Sequence, residues 1–221
     1  MGRLGHTGTS LAFKRQLFKD GFGGRVMQCI LSAWQAMMLH RSVRHETCIT
    51  ALLSDELNAA FEADGREWFA MPEVQETDPT FGTQLGRNDI RFFPAPHRHR
   101  SVYFTAECKR LHVRTTSGFK HLADEYVTEG MQRFVDGEYS KGVPCGGMVG
   151  YVMDNELDAA FRRVRAEIKA RRRPVRIFTR HTDTAPSTVL PEWKHSADTW
   201  HRRSDGAFLL HHVLLGLPCR D

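Results

Sequence analysis

Two stretches decide how this chain reads: "GRNDIRFF" (residues 86–93) and "YFTAECKRL" (103–111). Both have the aromatic and β-branched content of strands, yet Asp89 interrupts the first and Glu107 and Lys109 the second. Parity locates these charges. From 102 to 109 the even positions Val102, Phe104, Ala106 and Cys108 are small or apolar, and the odd positions Tyr103, Thr105, Glu107 and Lys109 are polar or amphipathic. A strand alternates its side chains, so Glu107 and Lys109 share one face, opposite the core. In the neighbouring strand Ile90 and Phe92 take the core side and leave Asp89 on the other, where a short hairpin brings it beside Glu107. Two adjacent carboxylates raise each other's pKa unless a cation lies between them. Lys109 supplies one positive charge, and a divalent metal would supply two.

Working outward, the periodicity predicts a helix over 25–41, with Val26, Met27, Ile30, Leu31, Trp34, Met37 and Met38 on one stripe. That stripe is core or a partner-facing surface. A second helix is expected over about 45–63, its buried face marked by Ile49, Leu52, Leu53, Leu57, Ala60 and Phe61. Glu46 lies three residues before Ile49 and points to that same face. An acid there is either a first-turn residue favoured by the helix dipole or part of a site. Strands are expected at 66–76, 89–93 and 102–111, with "PAPHRHR" turning between the last two. A helix over about 121–135 carries Ala123, Val127, Met131 and Phe134 on one side, and "GMVGYVM" (147–153) reads as a strand buried on both faces. A helix over 155–173 follows, capped by Asp154 or Asn155, with Leu157, Phe161, Val164 and Ile168 inward. Strands at 175–179 and 206–217, separated by a loop, complete an α/β sandwich.

Composition bounds the alternatives. The 221 residues are 41% hydrophobic and 26% charged, enough for one cored domain with elaborations. No window reaches 18 consecutive apolar residues, and "MGRLGHTGTS" lacks a signal-peptide core, so a cytoplasmic protein without a membrane span is expected. The five cysteines (Cys29, Cys48, Cys108, Cys145, Cys219) form no CxxC pair, and the ligand-like spacing of His45 and Cys48 has no second pair to complete a zinc site. The net charge of +5 is unevenly spread. "RRVRAEIKARRRPVR" (162–176) holds eight Lys or Arg against one Glu, and "HRHR" (97–100) is a second basic run. A polyanion partner fits this pattern, and a solvated helix face also explains it.

The Asp89, Glu107 and Lys109 grouping suits metal-assisted phosphodiester hydrolysis. Hard Mg²⁺ takes carboxylate oxygens and waters from few protein ligands, polarises a phosphoryl oxygen and acidifies a bound water. Asp89 followed by Glu107-Cys108-Lys109 in a strand resembles the PD-(D/E)xK nuclease superfamily, with Asn88 where the motif has a loosely kept proline. The family core of helix, three strands, helix, strand is matched by the order over 45–153. The resemblance implies a restriction-endonuclease-like fold: a central mixed sheet flanked by helices, an N-terminal arm and helix over 1–44 open to a partner, and a nuclease-like domain over 45–221. It implies metal ligation by Asp89, Glu107 and the Cys108 carbonyl, completion of the site by Glu46, and water positioning by Lys109. Gln132 and Tyr126, with Arg133 nearby, are its auxiliary candidates on the following helix. Mg²⁺, with Mn²⁺ as a substitute, would be the cofactor and DNA the substrate. Small stand-alone members often serve as effector subunits of bacterial antiviral defence systems. Nucleic acid would be held by Arg162, Arg163, Arg165, Lys169, Arg171, Arg172 and Arg173.

Two other readings compete. A non-catalytic nucleic-acid-binding or assembly subunit could keep the nuclease fold and use an exposed stripe over 26–38. A cysteine- or histidine-based enzyme is the other, although "LHHV" (210–213) reads better as strand packing. Without a site, Asp89, Glu107 and Lys109 would be an exposed ion cluster on a sheet face, worth little in stability.

Overall fold

A computed structural model describes residues 16–19, 21–37, 39, 43–65, 68–77, 84–94, 102–178 and 183–217. Met38 and the "HRHR" run lie outside them. The elements follow the order α1 (Phe22–Ala36), α2 (Glu46–Ala63), β1 (Trp68–Thr77), β2 (Gln84–Pro94), β3 (Phe104–Leu111), β4 (Val113–Thr115) and β5 (Gly118–Lys120). A helix, here α3, then runs through Ala123–Glu125, a π-helical stretch Tyr126–Met131 and Gln132–Asp136. It is followed by β6 (Cys145–Val152), α4 (Leu157–Ala170), β7 (Ala185–Pro186), β8 (Ser196–Arg203) and β9 (Gly206–Gly216).

The main sheet has seven strands in the order β1-β2-β3-β6-β9-β8-β7, with β4 and β5 pairing separately. β3, β6 and β9 run parallel at its centre, and antiparallel strands extend it on both sides. The central β6 is buried along its whole length, as its apolar run predicts. Helices cover both faces, so the protein is α/β with a large mixed sheet between helical layers.

One face carries α1 and α2. Val26, Met27, Ile30, Trp34 and Met37 are buried there with Ile49, Leu53, Leu57 and Phe61, against Phe92, Phe104, Ala106, Cys108 and Tyr151. The stripe over 26–38 is therefore interior wherever it is described, not an exposed surface. Trp34 stacks on Tyr151 at 5.1 Å and donates its indole N–H to the Gly216 carbonyl. Asn58 exchanges two hydrogen bonds with the Ala70 backbone and fixes α2 against the edge strand β1.

The other face carries α3 and α4 over Leu111, Met148, Val152, Phe208, Leu210 and Leu214. This second core corrects the parity reading. The odd positions of β3 do lie opposite Phe104 and Ala106, but they face α3 rather than water, and Glu107 is only 1% exposed. An exposed ion cluster is thereby excluded.

Four other expectations differ. Of the strand expected over 175–179, the described residues 175–178 form none: Ile177 makes one isolated bridge to His201, after turns that begin at Arg171, and Thr179 lies outside the described residues. Residues 196–203, read as loop, are β8. Its polar side chains Asp198, Thr199, His201 and Arg203 are buried and hydrogen-bonded, which hides the strand from hydropathy. Neither Asp154 nor Asn155 caps α4 as expected; Glu156 is its N-cap, without a side-chain bond. The helix stops at Ala170, so Arg171, Arg172 and Arg173 sit beyond it.

Candidate active site

The site begins where two strands part. β2 and β3 pair through Phe92↔Phe104, Arg91↔Thr105 and Ile90↔Ala106, and then diverge. Extending that register by one residue sets Asp89 opposite Glu107. Past the fork no described strand pairs with β3 on its β2 side, and every second amide there needs an acceptor. Carboxylates supply two. Asp89 Oδ2 accepts the Cys108 N–H at 2.7 Å, and Glu46 Oε2 accepts the Arg110 N–H at 2.7 Å. Glu46, the first residue of α2, thus reaches the fork from the other helical layer. In a strand the N–H and C=O of a residue point the same way, so the Cys108 carbonyl also faces the fork.

Lys109 ties the acids together. Its Nζ lies 3.0 Å from Glu107 Oε1 and 3.7 Å from Glu46 Oε1. Arg133 Nη1 approaches Glu107 Oε1 to 3.8 Å from α3. Burial, and next the charge of Asp89, push Glu107 up to about 8, opposed by Lys109. Burial raises Asp89 and Glu46 as well, each opposed first by Lys109. The acids outweigh the desolvation of Lys109 and hold its ammonium above its usual range. Lys109 is charged.

The surrounding shell explains why the fork keeps its shape. Gly130, in the π-helical stretch, lets α3 approach closely: a Cβ there would sit 2.5 Å from Met148 Cε and 3.5 Å from Lys109 Cγ. Tyr139 donates its O–H to the Arg87 carbonyl at 2.7 Å and accepts from Arg133 Nη1. Its ring fills the space over Gly86, where a Cβ would meet Tyr139 Cε1 at 2.9 Å. Tyr139 thereby clamps β2 two residues before Asp89. Sequence reasoning missed it, and the one signal was Gly86 inside a strand, a mark of close approach by another group. Beneath the fork the Tyr151 hydroxyl donates to Cys108 Sγ at 3.2 Å, and full burial raises that thiol, which makes it a packing group rather than a nucleophile.

Asp89, Glu107, Lys109 and Glu46 therefore converge, with the Cys108 backbone beside them. The auxiliary candidates do not. Gln132 turns to Asp136 at 2.9 Å, and Tyr126 is buried with its hydroxyl 3.1 Å from His212 Nδ1. Arg133 takes the place expected of Gln132. The basic residues also divide. Arg162, Arg165 and Lys169 line a shared cleft with Asp183 and Thr184, and Arg163 is exposed on the same helix. Arg171 pairs with Glu167 and Arg172 with Asp183, while Arg173 is exposed in the turn.

A cleft of about 380 Å³ opens on the fork, lined by Glu46, Thr47, Thr50, Pro72, Glu73 and Asp89. Among the described residues no three His, Cys, Asp or Glu side chains close on one point as a preformed metal cage; Lys109 Nζ takes the central place. The donor set still fits a hard divalent ion. Glu107 Oε2 is buried without a hydrogen-bond donor, the raised carboxyls call for more positive charge, and Mg²⁺ needs only one or two protein carboxylates. The chain matches no family model, no curated protein and no solved structure.

Proposed function

We propose that this protein is a metal-dependent nuclease that hydrolyses phosphodiester bonds in DNA, built on a restriction-endonuclease-like core of the PD-(D/E)xK type. One observation carries the reading: Asp89, Glu107, Lys109 and Glu46 come from three elements and meet where β2 and β3 separate. The element order from α2 to β6 supports it. Mg²⁺, or Mn²⁺ in its place, would be held by Asp89, Glu107 and the Cys108 carbonyl. Bound there, it would polarise the phosphoryl oxygen and lower the pKa of an attacking water.

The chain's own groups do the rest. Lys109 stays protonated, so it orients water and offsets charge growing on the phosphate rather than accepting a proton. Glu46 anchors Lys109 from the α2 side and Arg133 flanks Glu107 from α3, which fixes the ammonium over the fork. Service as an effector subunit of an antiviral defence system remains part of the proposal by family analogy alone.

The test is direct. Purified protein is incubated with plasmid, linear duplex, single-stranded DNA and RNA, each with Mg²⁺, Mn²⁺ or EDTA. Cleavage of DNA that needs metal and is lost in Lys109→Ala is expected. Absence of cleavage in every metal condition, or equal cutting by Lys109→Ala, would overturn the reading.

A further inference from the structure

The β4–β5 hairpin leaves β3 with only His112 between them, and His112 adopts φ 57°, a left-handed turn that swings the chain out of the sheet. The hairpin is pinned at its base by the His112 amide on the His121 carbonyl at 3.2 Å. At its tip, Thr115 Oγ1 donates to the Gly118 carbonyl at 2.9 Å. Its register pairs Arg114 with Phe119 and Val113 with Lys120. Directly opposed residues share a face, so His112, Arg114, Phe119 and His121 line one side, and Lys120 lies on the other.

Three features set this face apart. Phe119 is 43% exposed, so its ring is open to a ligand. Its ring is held edge-on by His112 and His121, with centroids 5.3 and 4.9 Å away, so its orientation is set by packing. From Cys108 to Ala123 the sequence holds Lys109, Arg110, Arg114 and Lys120 and no acid. An exposed, oriented aromatic ring beside a cation is the pairing that binds the bases and phosphates of a single strand; the carboxylate that reaches this face, Asp154, is taken up by His112 Nδ1 at 3.1 Å. A duplex hides its base faces and could use only the cations.

Position links the hairpin to the candidate site. At about 3.3 Å per strand residue, His112 lies roughly 10 Å from Lys109 along β3. A strand cut at the fork and running past the end of β3 would reach the hairpin within a few nucleotides.

We propose that the β4–β5 hairpin is a single-strand clamp: Phe119 stacks on an unpaired base of the DNA strand held at the fork, and Arg114 contacts its phosphate. This rests on the nuclease reading and narrows its substrate to DNA with an unpaired segment beside the scissile bond.

The experiment uses the full chain in Ca²⁺ without Mg²⁺. Probes are a single-stranded DNA oligonucleotide carrying 2-aminopurine, the blunt duplex of the same sequence and the matching RNA strand. For the wild type, tighter binding to the single-stranded DNA than to the duplex is expected, with quenched 2-aminopurine fluorescence as the base stacks. Phe119→Ala should remove the quenching and weaken single-strand binding roughly tenfold, move duplex binding less than about twofold and leave the melting temperature unchanged. Phe119→Trp should restore both signals. Arg114→Gln should lower the salt slope by about one.

Three results would overturn the clamp: wild type that does not prefer the single strand to the duplex, Phe119→Ala that binds the single strand as wild type does, or equal losses on both DNAs. RNA bound more tightly than DNA would overturn the assigned substrate. Parallel assays in Mg²⁺ and Mn²⁺ separate the two claims. Phe119-dependent stacking without any cleavage keeps the hairpin and removes the nuclease; cleavage without Phe119 dependence does the reverse.

Discussion

The carboxylates of Asp89 and Glu46 cap alternate amides on one edge of β3, those of Cys108 and Arg110, each at 2.7 Å. Both acids are therefore held by backbone, and neither can turn away from the fork without leaving a buried N–H unpaired. This makes Glu46 more than a first-turn residue and gives it a sharp test. Glu46→Gln can still accept the Arg110 amide through its carbonyl oxygen but loses its charge beside Lys109. Stability in a thermal melt should fall by no more than a dipole interaction accounts for, about 0.3–1 kcal/mol. Cleavage should fall at least about tenfold, the usual cost of losing a partner that orients a metal site, and the metal midpoint should rise. A normal metal titration with full cleavage would remove Glu46 from the site.

The same fork shows what was legible in advance and why. Parity in 102–109 sufficed to put Glu107 and Lys109 on one face, whereas the helix projection put Glu46 only on the buried face of its helix, and the family resemblance alone brought it to the site. What parity cannot show is which layer lies above that face. A polar alternation looks solvated, yet α3 covers it because Gly130 and the π-helical stretch let the helix settle onto Met148 and Lys109. The loss of β8 has the opposite cause. His201, Thr199 and His212 satisfy one another in a buried chain, with Thr199 Oγ1 at 2.7 Å from His201 Nε2 and 2.8 Å from His212 Nε2, so a core strand reads as polar.

Gly130 gives a second prediction. A methyl group there would overlap Met148 Cε at 2.5 Å and touch Lys109 Cγ at 3.5 Å. The methionine end can shift, so folding should survive at a cost of about 1–3 kcal/mol, the usual range for overpacking. The displaced helix should move Arg133 and Lys109, and cleavage by Gly130→Ala should drop more than DNA affinity does. A thermal melt beside binding and cleavage assays checks this; full cleavage in a destabilised variant would show that the fork tolerates movement of α3.

The buried histidines set the response to acid. Burial, and next the neighbouring His201, lower His212 to about 3; burial, opposed by the bond to the Val175 carbonyl and helped by the Arg203 charge, lowers His201 to about 4. Around them lie Asp198, His211, Arg203, Tyr126 and Thr199. Unfolded histidines titrate near 6.5. The unfolded chain thus takes up protons that the native state refuses, and stability present above about pH 6.5 is lost as pH falls toward 4. The pair should account for a few kcal/mol, on the order set by linkage. Urea unfolding at several pH values for wild type and His212→Gln should show a shallower acid loss in the variant. Parallel pH profiles would mean that His212 is protonated in the native core.

The α4 cations are expected to set affinity rather than rate. Arg162, Arg165 and Lys169 share one cleft, whereas Arg171 and Arg172 are paired with Glu167 and Asp183. Reversing the first three to Glu should weaken binding to all DNA sequences alike and flatten the salt dependence by up to about three, one per phosphate contact. Reversing Arg171 and Arg172 should do less. An unchanged salt slope in the triple variant would mark α4 as a solvated face.

Lys109 carries the last prediction, because it is the cation that a bound metal would have to join. Its ammonium lies 3.0 Å from Glu107 and 3.7 Å from Glu46, so it neutralises part of the charge that would draw a divalent ion. Lys109→Ala leaves Asp89, Glu107 and Glu46 in place with Arg133 as the nearest remaining cation, 3.8 Å from Glu107. Cleavage should fall by orders of magnitude, since among the described residues no other cation lies between Glu107 and Glu46 to orient water and offset phosphate charge. DNA affinity, set by α4 and the β4–β5 hairpin, should change little. The variant should also be stabilised more than wild type by added Mn²⁺, because metal then supplies the missing counter-charge and binding to the native state raises the melting temperature by mass action. Melting curves against Mn²⁺ concentration test this without reference to activity. A smaller Mn²⁺ response in Lys109→Ala than in wild type would show that the lysine does not compete with metal for these carboxylates, and retained cleavage would remove it from the chemistry.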